Sequence, residues 1–331
     1  MKHSLNDSLL KLGEERKPPA EEQAIAGIAK LQTDIMKATN PHLRGQHPKA
    51  HGCVEAEFTV LPDIPKALQV GVFQYPKTYK AIIRFSNGKS ASDLDPDVHG
   101  MAIKVFGIKG KKALPADDSD VQDFILIDNE VFFASDAESL LGFMMARVAA
   151  QKNPNAVKEF MEKSEHNART VALAQKALKK ELPSPLAVPY WSTVPYKFGE
   201  GAVKYSVKPA ESNQVAMPQP PSENYLRDAM IEHLTKQQKQ AVFDFYVQVQ
   251  TDAETMPIED PTVVWTSLEV KVATIQIAPQ NFNTPEHNKR CEESSFTPWH
   301  ALEVHRPLGG INRARKPVYE ASSVLRHQQV S

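Results

Sequence analysis

Apolar and polar positions change rhythm several times along the 331 residues, and those changes divide the chain. Residues 1–40 are mostly polar and hold one amphipathic stretch, EEQAIAGIAKLQTDIMKAT, in which Ile25, Ile28, Leu31 and Ile35 recur at helical spacing. This predicts an N-terminal arm with a packing helix. After Pro41 the rhythm turns short and β-rich, with CVEAEFTVL, YKAIIRFSNG, GMAIKVFGI and DFILIDNEVFFA separated by turn signals such as NGKSASDLDPD. From 136 to 182 it becomes helical, through AESLLGFMMARVAAQ and VKEFMEKSEHNARTVALAQKALKKEL. Strand patterning returns at AVKYSVKP, VFDFYVQVQ and PTVVWTSLEVKVATIQIA, where Leu268, Val270 and Val272 alternate with Glu269 and Lys271. The last rhythm, INRARKPVYEASSVLRHQQ, is helical again.

Strands, a helical insertion, more strands and a final helix predict an α+β fold. It is an antiparallel β-barrel with helices laid against it, occupying 41–331 as one domain behind the 1–40 arm. An eight-stranded barrel of this kind is filled by side chains or has room for one ligand. The segment AMPQPPSEN reads as a surface loop within that domain.

Composition narrows the chemistry. A net charge of −1 without a long basic run sets nucleic acid aside. There is no apolar run long enough for a signal-peptide core or a transmembrane helix, so a soluble cytoplasmic protein is expected. Cys53 and Cys291 stand far apart without a CxxC, which supports neither a thiolate cage nor a disulfide framework and predicts two inert thiols. Twenty-five prolines against 14 glycines, clustered at element boundaries, predict long irregular connections.

Two segments hold candidate chemistry. On the final helix Arg315, Tyr319 and Arg326 fall on one side, a phenol between guanidiniums that could bind a metal through oxygen and an anion through the distant arginine. The same stripe also fits an ordinary surface helix. At the approach to the first strand, HLRGQHPKAHGCVEAEF places His42, His47 and His51 close together. A zinc site there would need His47 and His51 on a helix, which Pro48 and Gly52 oppose, and no H-E-x-x-H pattern occurs. Arg44 lies three residues before His47, and Arg84 and Ser86 follow in RFSNG.

These segments together resemble the haem catalases. Arg44, His47, Lys49 and Gly52 are similar to that family's distal-histidine segment, RFSNG…DPDVHGMAIKVFG to its next strand pair, and RKPVYEASSVLR to its proximal signature. The resemblance covers 42–133 and 296–327, and MPIEDPTVVW is similar to a barrel segment of the family. It implies haem b bound through an axial Tyr319 phenolate, with Arg315 keeping that phenol ionised and Arg44, Arg84 and Arg326 pairing with the propionates. It implies that His47 moves a proton between the two oxygens of a peroxide, oriented by Ser86. The substrate would be a peroxide or a lipid hydroperoxide, used with an electron donor that the sequence does not identify. Self-association into a homo-oligomer stays open. The chain lacks the family's long wrapping segment and flavodoxin-like domain, so nicotinamide dinucleotide binding is not expected and small catalase-related peroxidases are the nearer likeness. Allene oxide synthases, which rearrange fatty-acid hydroperoxides, are also similar, and a haem- or lipid-binding barrel without turnover is the non-enzymatic alternative. In place of the family's distal NNTPVFF the best match is VQDFILI, leaving Gln122 or Asp123 near the asparagine position. His99, His300 and His305 are read as structural, Met144 and Met145 as core, and Lys179 and Lys180 as a solvated helix end.

Overall fold

A computed structural model describes residues 10–39, 43–178, 182–213, 215–217 and 219–327. His42, Lys179, Lys180 and the first nine residues of the arm lie outside the described residues. Its strands are β1 (Ala50–Val60), β2 (Thr78–Asn87), β3 (His99–Phe106), β4 (Val121–Ile127), β5 (Tyr190–Trp191), β6 (Tyr196–Phe198), β7 (Gly201–Pro209), β8 (Ala241–Val249) and β9 (Glu269–Ile277). They hydrogen-bond in the order β5-β4-β3-β2-β1-β9-β8-β7-β6, and an extra β5–β7 pairing closes the ring, leaving β6 outside on β7. All pairings are antiparallel, so eight strands make a closed barrel, as the alternating patterns predict.

The inward positions are aromatic. Phe124 meets Phe245 edge-on at 4.9 Å and Tyr205 at 5.1 Å, with Phe58 and Phe73 packed beside them. Rings of this size fill the barrel. The barrel is therefore a packed core, and any ligand must sit on its outside.

Helices cover that outside: α1 (Glu21–Ala38), α2 (Ala137–Ala149), α3 (Ala156–Glu162), α4 (Glu165–Ala177), α5 (Tyr225–Met230), α6 (Pro285–Glu293) and α7 (Gly310–His327). The predicted N-terminal helix forms, with its buried stripe on Ala24, Ile28, Gln32 and Met36, while Ile25, Leu31 and Ile35 are half-buried. Ser164 caps α4 by accepting from the Asn167 N–H at 3.1 Å, which splits the predicted 157–182 helix in two. Arg313 of α7 donates to Glu21 at 2.6 Å and to Glu259 at 2.7 Å, joining the arm, α7 and the loop before β9.

Several expectations are corrected. The run DFILIDNEVFFA leaves the sheet at Ile127, because Asp128 turns to accept from the His99 backbone N–H at 2.9 Å. The PTVVW segment is loop, and a bulge opposite Phe245/Tyr246 buries Val272 and Ala273 in succession while Leu268 is 87% exposed. Met145 is exposed rather than core. The two cysteines are not separate thiols: Cys53 of β1 and Cys291 of α6 form a disulfide with a Cα separation of 5.7 Å. Barrel closure brings residue 291 back to β1 across 238 positions, a proximity that no local spacing reveals.

Candidate functional site

Between the barrel wall and α1 and α7 lies a partly open cavity with a volume of about 90 Å³. Arg44, His47, Arg84, Ser86, Tyr319 and Arg326 all line it. Met101, Ala102, Ile125, Leu126, Phe296 and Val318 form its apolar walls.

The bulge between Ala50 and Gly52 lets β1 curl away from β2, and the preceding segment folds over the strand ends. His47 sits there with φ of 55°, a left-handed conformation uncommon for a side-chain-bearing residue, and its N–H donates to Gly88 O at 2.9 Å. Its Nδ1 lies 3.2 Å from Ser86 Oγ. Gly100 on β3 makes room, since a Cβ there would stand 2.6 Å from that nitrogen. Burial and the Arg84 charge push His47 down to about 4, so the imidazole is neutral at neutral pH. Lys49 is engaged elsewhere, with Asp93 and Glu223 O both at 2.6 Å.

Opposite charges are unequal at the rim. Arg44, Arg84 and Arg326 gather around the single carboxylate of Glu292, which pairs with Arg44 and lies 3.6 Å from Arg84. Burial and the Arg44 charge hold Arg84 down at about 9 and Arg326 at about 10. Arg84 Nε is buried without a partner. Three mutually repelling guanidiniums, one with an orphaned donor, are suited to receive further anionic groups.

Tyr319 and Arg326 reach the cavity from one face of α7, as the helical spacing predicts. Arg315, one turn before Tyr319, does not line it. Its guanidinium covers the Phe132 ring at 5.7 Å, lies 3.3 Å from Asn312 Oδ1 and offsets the burial that pushes Tyr196 up to about 12. The arrangement has what a haem needs: a phenol, a neutral imidazole, apolar walls and surplus positive charge for two carboxylates. The residues present fit that group.

Gln122 and Asp123 do not reach the cavity. Gln122 accepts from the Leu302 N–H at 2.9 Å, and the buried Asp123 is held by Lys104 at 2.6 Å, the Thr297 N–H at 3.0 Å and His300 at 3.1 Å. The segment 297–302 engages both side chains, and the residues of β4 that enter the wall are Ile125 and Leu126. His99 contacts Asp128 at 2.9 Å and His305 accepts from the Val72 N–H at 3.1 Å, both structural placements. His51 lies buried beside Asp93, and among the described residues no group of three or more His, Cys, Asp or Glu could hold a metal ion.

Two contributions to the site were not foreseen, one from the lining and one from beside it. Gln32 of α1 donates to Gly45 O at 3.0 Å and accepts from Gln46 at 2.9 Å, tying the arm helix to the His47 segment. Its signal was a polar residue standing in the apolar i, i+4 stripe. Glu292, reached through α6, had none.

The fold has known counterparts. A fungal catalase matches with a TM-score of 0.68 at 17% identity, over 89% of this chain and 61% of that one. A bacterial catalase gives 0.64 at 17% over 96% and 64%, and catalase A from Saccharomyces cerevisiae 0.61 at 16% over 96% and 67%. The chain thus has a catalase-like fold and spans about two thirds of the length of the catalases it matches. No protein-family model and no curated protein sequence matches it. Among the described residues no helix is long and apolar enough to cross a membrane.

Proposed function

We propose that this chain is a haem-dependent oxidoreductase acting on peroxides. The observation that carries the reading is the convergence of His47, Ser86, Arg44, Arg84, Tyr319 and Arg326, drawn from both ends of the sequence, on one cavity of a catalase-like fold. Tyr319 would hold the iron through its phenolate, and Arg44, Arg84 and Arg326 the propionates. Arg315 would favour the ionised phenol by its charge from one helical turn away. Bound there, haem b supplies a redox-active iron at which a peroxide O–O bond is cleaved.

The chain's own contribution is proton handling. His47, neutral above about pH 4, accepts the O–H proton of an incoming peroxide and returns it to the departing oxygen, which leaves as water or an alcohol. Ser86 at Nδ1 fixes the ring so that the other nitrogen is available for that exchange. With Gln122 and Asp123 engaged elsewhere, β4 offers the cavity the apolar Ile125 and Leu126 and no carboxamide or carboxylate to position a very small substrate. This favours organic hydroperoxides, including fatty-acid hydroperoxides that could be reduced or rearranged, over hydrogen peroxide.

The test is the absorption spectrum of the chain loaded with haemin, followed by addition of hydrogen peroxide or a fatty-acid hydroperoxide with oxygen detection and product analysis. A tyrosinate-type ferric spectrum that Tyr319→Phe abolishes, with peroxide consumed, is expected. A chain that takes up no haemin would overturn the reading, and haemin uptake without turnover would leave a binding barrel.

A further inference from the structure

The C-terminal turn of α6 meets the cavity's three arginines at once. Arg44 Nη2 donates to the carbonyls of Ser294 at 2.7 Å and Cys291 at 3.1 Å, and Arg326 Nη1 to that of Glu292 at 2.7 Å. The Glu292 carboxylate adds its pair with Arg44 and its approach to Arg84. The last carbonyls of a helix lack partners inside it and form its negative pole, so this turn is well made to organise guanidiniums. Just beyond it, Ser295 and Phe296 enter the cavity wall.

Beyond those arginine contacts, the turn is tied to β1 at two points. Cys291 is the one buried residue of α6, and it is the residue bonded to Cys53 of β1. The other tie to β1, between Arg290 and Glu55 at 3.3 Å, is largely exposed and correspondingly weak. An open groove bordered by Ile82, Phe106, His287 and Arg290 reaches both bridge residues, and Cys53 is only half-buried. Solvent-borne thiols therefore have a path to the sulfur, past a lining in which Arg290 and His287 stand beside Glu55 and Glu293.

We propose that the Cys53–Cys291 disulfide is a redox latch on the cofactor site: closed, it fixes the α6 turn and the arginines that turn organises; opened, it releases them and weakens binding of a dianionic porphyrin. The proposal rests on the haem reading above. Opening takes a dithiol reductant. One thiolate attacks Cys53 Sγ, Cys291 leaves as a thiolate and is protonated, and the reductant's second thiolate displaces Cys53, so two electrons pass to the cysteines and the reductant becomes a disulfide. Closing can use the proposed substrate class. One thiolate attacks a hydroperoxide, releasing an alcohol and forming a sulfenic acid, and the second thiol displaces water from it. Peroxide would thereby lock the site that consumes it.

The experiment uses the full chain in three forms: oxidised, reduced with dithiothreitol and freed of it under argon, and Cys53→Ser/Cys291→Ser. The state of the bridge is verified by mass after alkylation. The probe is iron-free protoporphyrin IX, which carries both propionates and no iron for a thiol to bind, titrated by fluorescence. Opening is expected to weaken binding about tenfold, with affinity restored on reoxidation by hydrogen peroxide. A verified open bridge with affinity changed by less than about twofold would overturn the latch and leave the haem reading standing. Should the opened chain unfold, the bridge is a structural staple of the fold and the latch is overturned. Failure of the oxidised chain to bind either haemin or the porphyrin would overturn both readings.

Discussion

Two histidines in this molecule have the same electrostatic signature and opposite surroundings. Burial pushes His47 and His305 alike down to about 4. His305 is fully enclosed, edge-on to Phe73 at 5.7 Å and against Phe198 at 5.2 Å, with Nε2 accepting from the Val72 N–H. Gly71, at φ of 54°, is needed there because a Cβ would stand 2.3 Å from that nitrogen. His47 instead faces a cavity, in a left-handed backbone conformation, with one nitrogen held by a hydroxyl and an unpaired guanidinium donor nearby. Desolvation dominates both shifts, with the Arg84 charge adding to it at His47, so a depressed pKa does not by itself separate the two; access, backbone strain and unsatisfied neighbours do.

The sharpest way to break that comparison is to remove each ring. His47→Ala is expected to lower peroxide turnover of the haemin-loaded chain by roughly 10² or more while leaving its melting temperature close to the parent's, since it deletes the proposed proton carrier at a cavity wall. His305→Ala should do the reverse. It leaves a hole among Phe73, Phe198 and the barrel floor and strands the Val72 N–H, costing about 3 kcal/mol in urea unfolding with turnover per folded molecule retained. Equal losses of turnover in the two variants would remove the distinction.

Acid provides a smaller and shared effect. A buried imidazole whose folded pKa is depressed binds its proton more readily once unfolded, so its contribution to stability is complete above the ordinary 6.5 and is lost as pH falls toward about 4. The cofactor-free chain should lose stability across that window with a slope of up to two protons from these residues. His305→Ala should reduce the slope by about one proton, read from urea midpoints between pH 7 and pH 4.5. An unchanged slope would mean that His305 is not held neutral in the fold.

How much of this was legible in sequence follows from the length scale of each feature. The 3.6-residue period put Tyr319 and Arg326 on one face of α7, and the two-residue period put Arg84 and Ser86 on one face of β2, so each local set was readable. That Gln122 and Asp123 are engaged away from the cavity depended on partners 180 and 174 residues further on, and the run VQDFILI does not declare them. Strands β5 and β6, two and three residues long in a proline-rich stretch, carry no periodicity at all. The Cys53–Cys291 bridge and the Glu292 hub depend on closure of the barrel across more than two hundred residues. Local spacing has no access to such distances.

The finest division within the cavity concerns Ser86. Its hydroxyl stands 3.2 Å from His47 Nδ1, and the backbone of Asn87 is the ring's other hydrogen-bonding neighbour. Ser86→Ala removes the orienting contact without changing the volume of the wall, and Gly100 still keeps the ring in its slot. Loss of one neutral hydrogen bond is worth about 1 kcal/mol, so turnover should fall about fivefold, far less than for His47→Ala, with porphyrin affinity unchanged. The decisive readout is the combination. In His47→Ala the Ser86 substitution should have no further effect on turnover, since a residue that acts through the imidazole has nothing left to orient. An additional fivefold loss in that double variant would place Ser86 in direct contact with substrate and redraw the site around the hydroxyl.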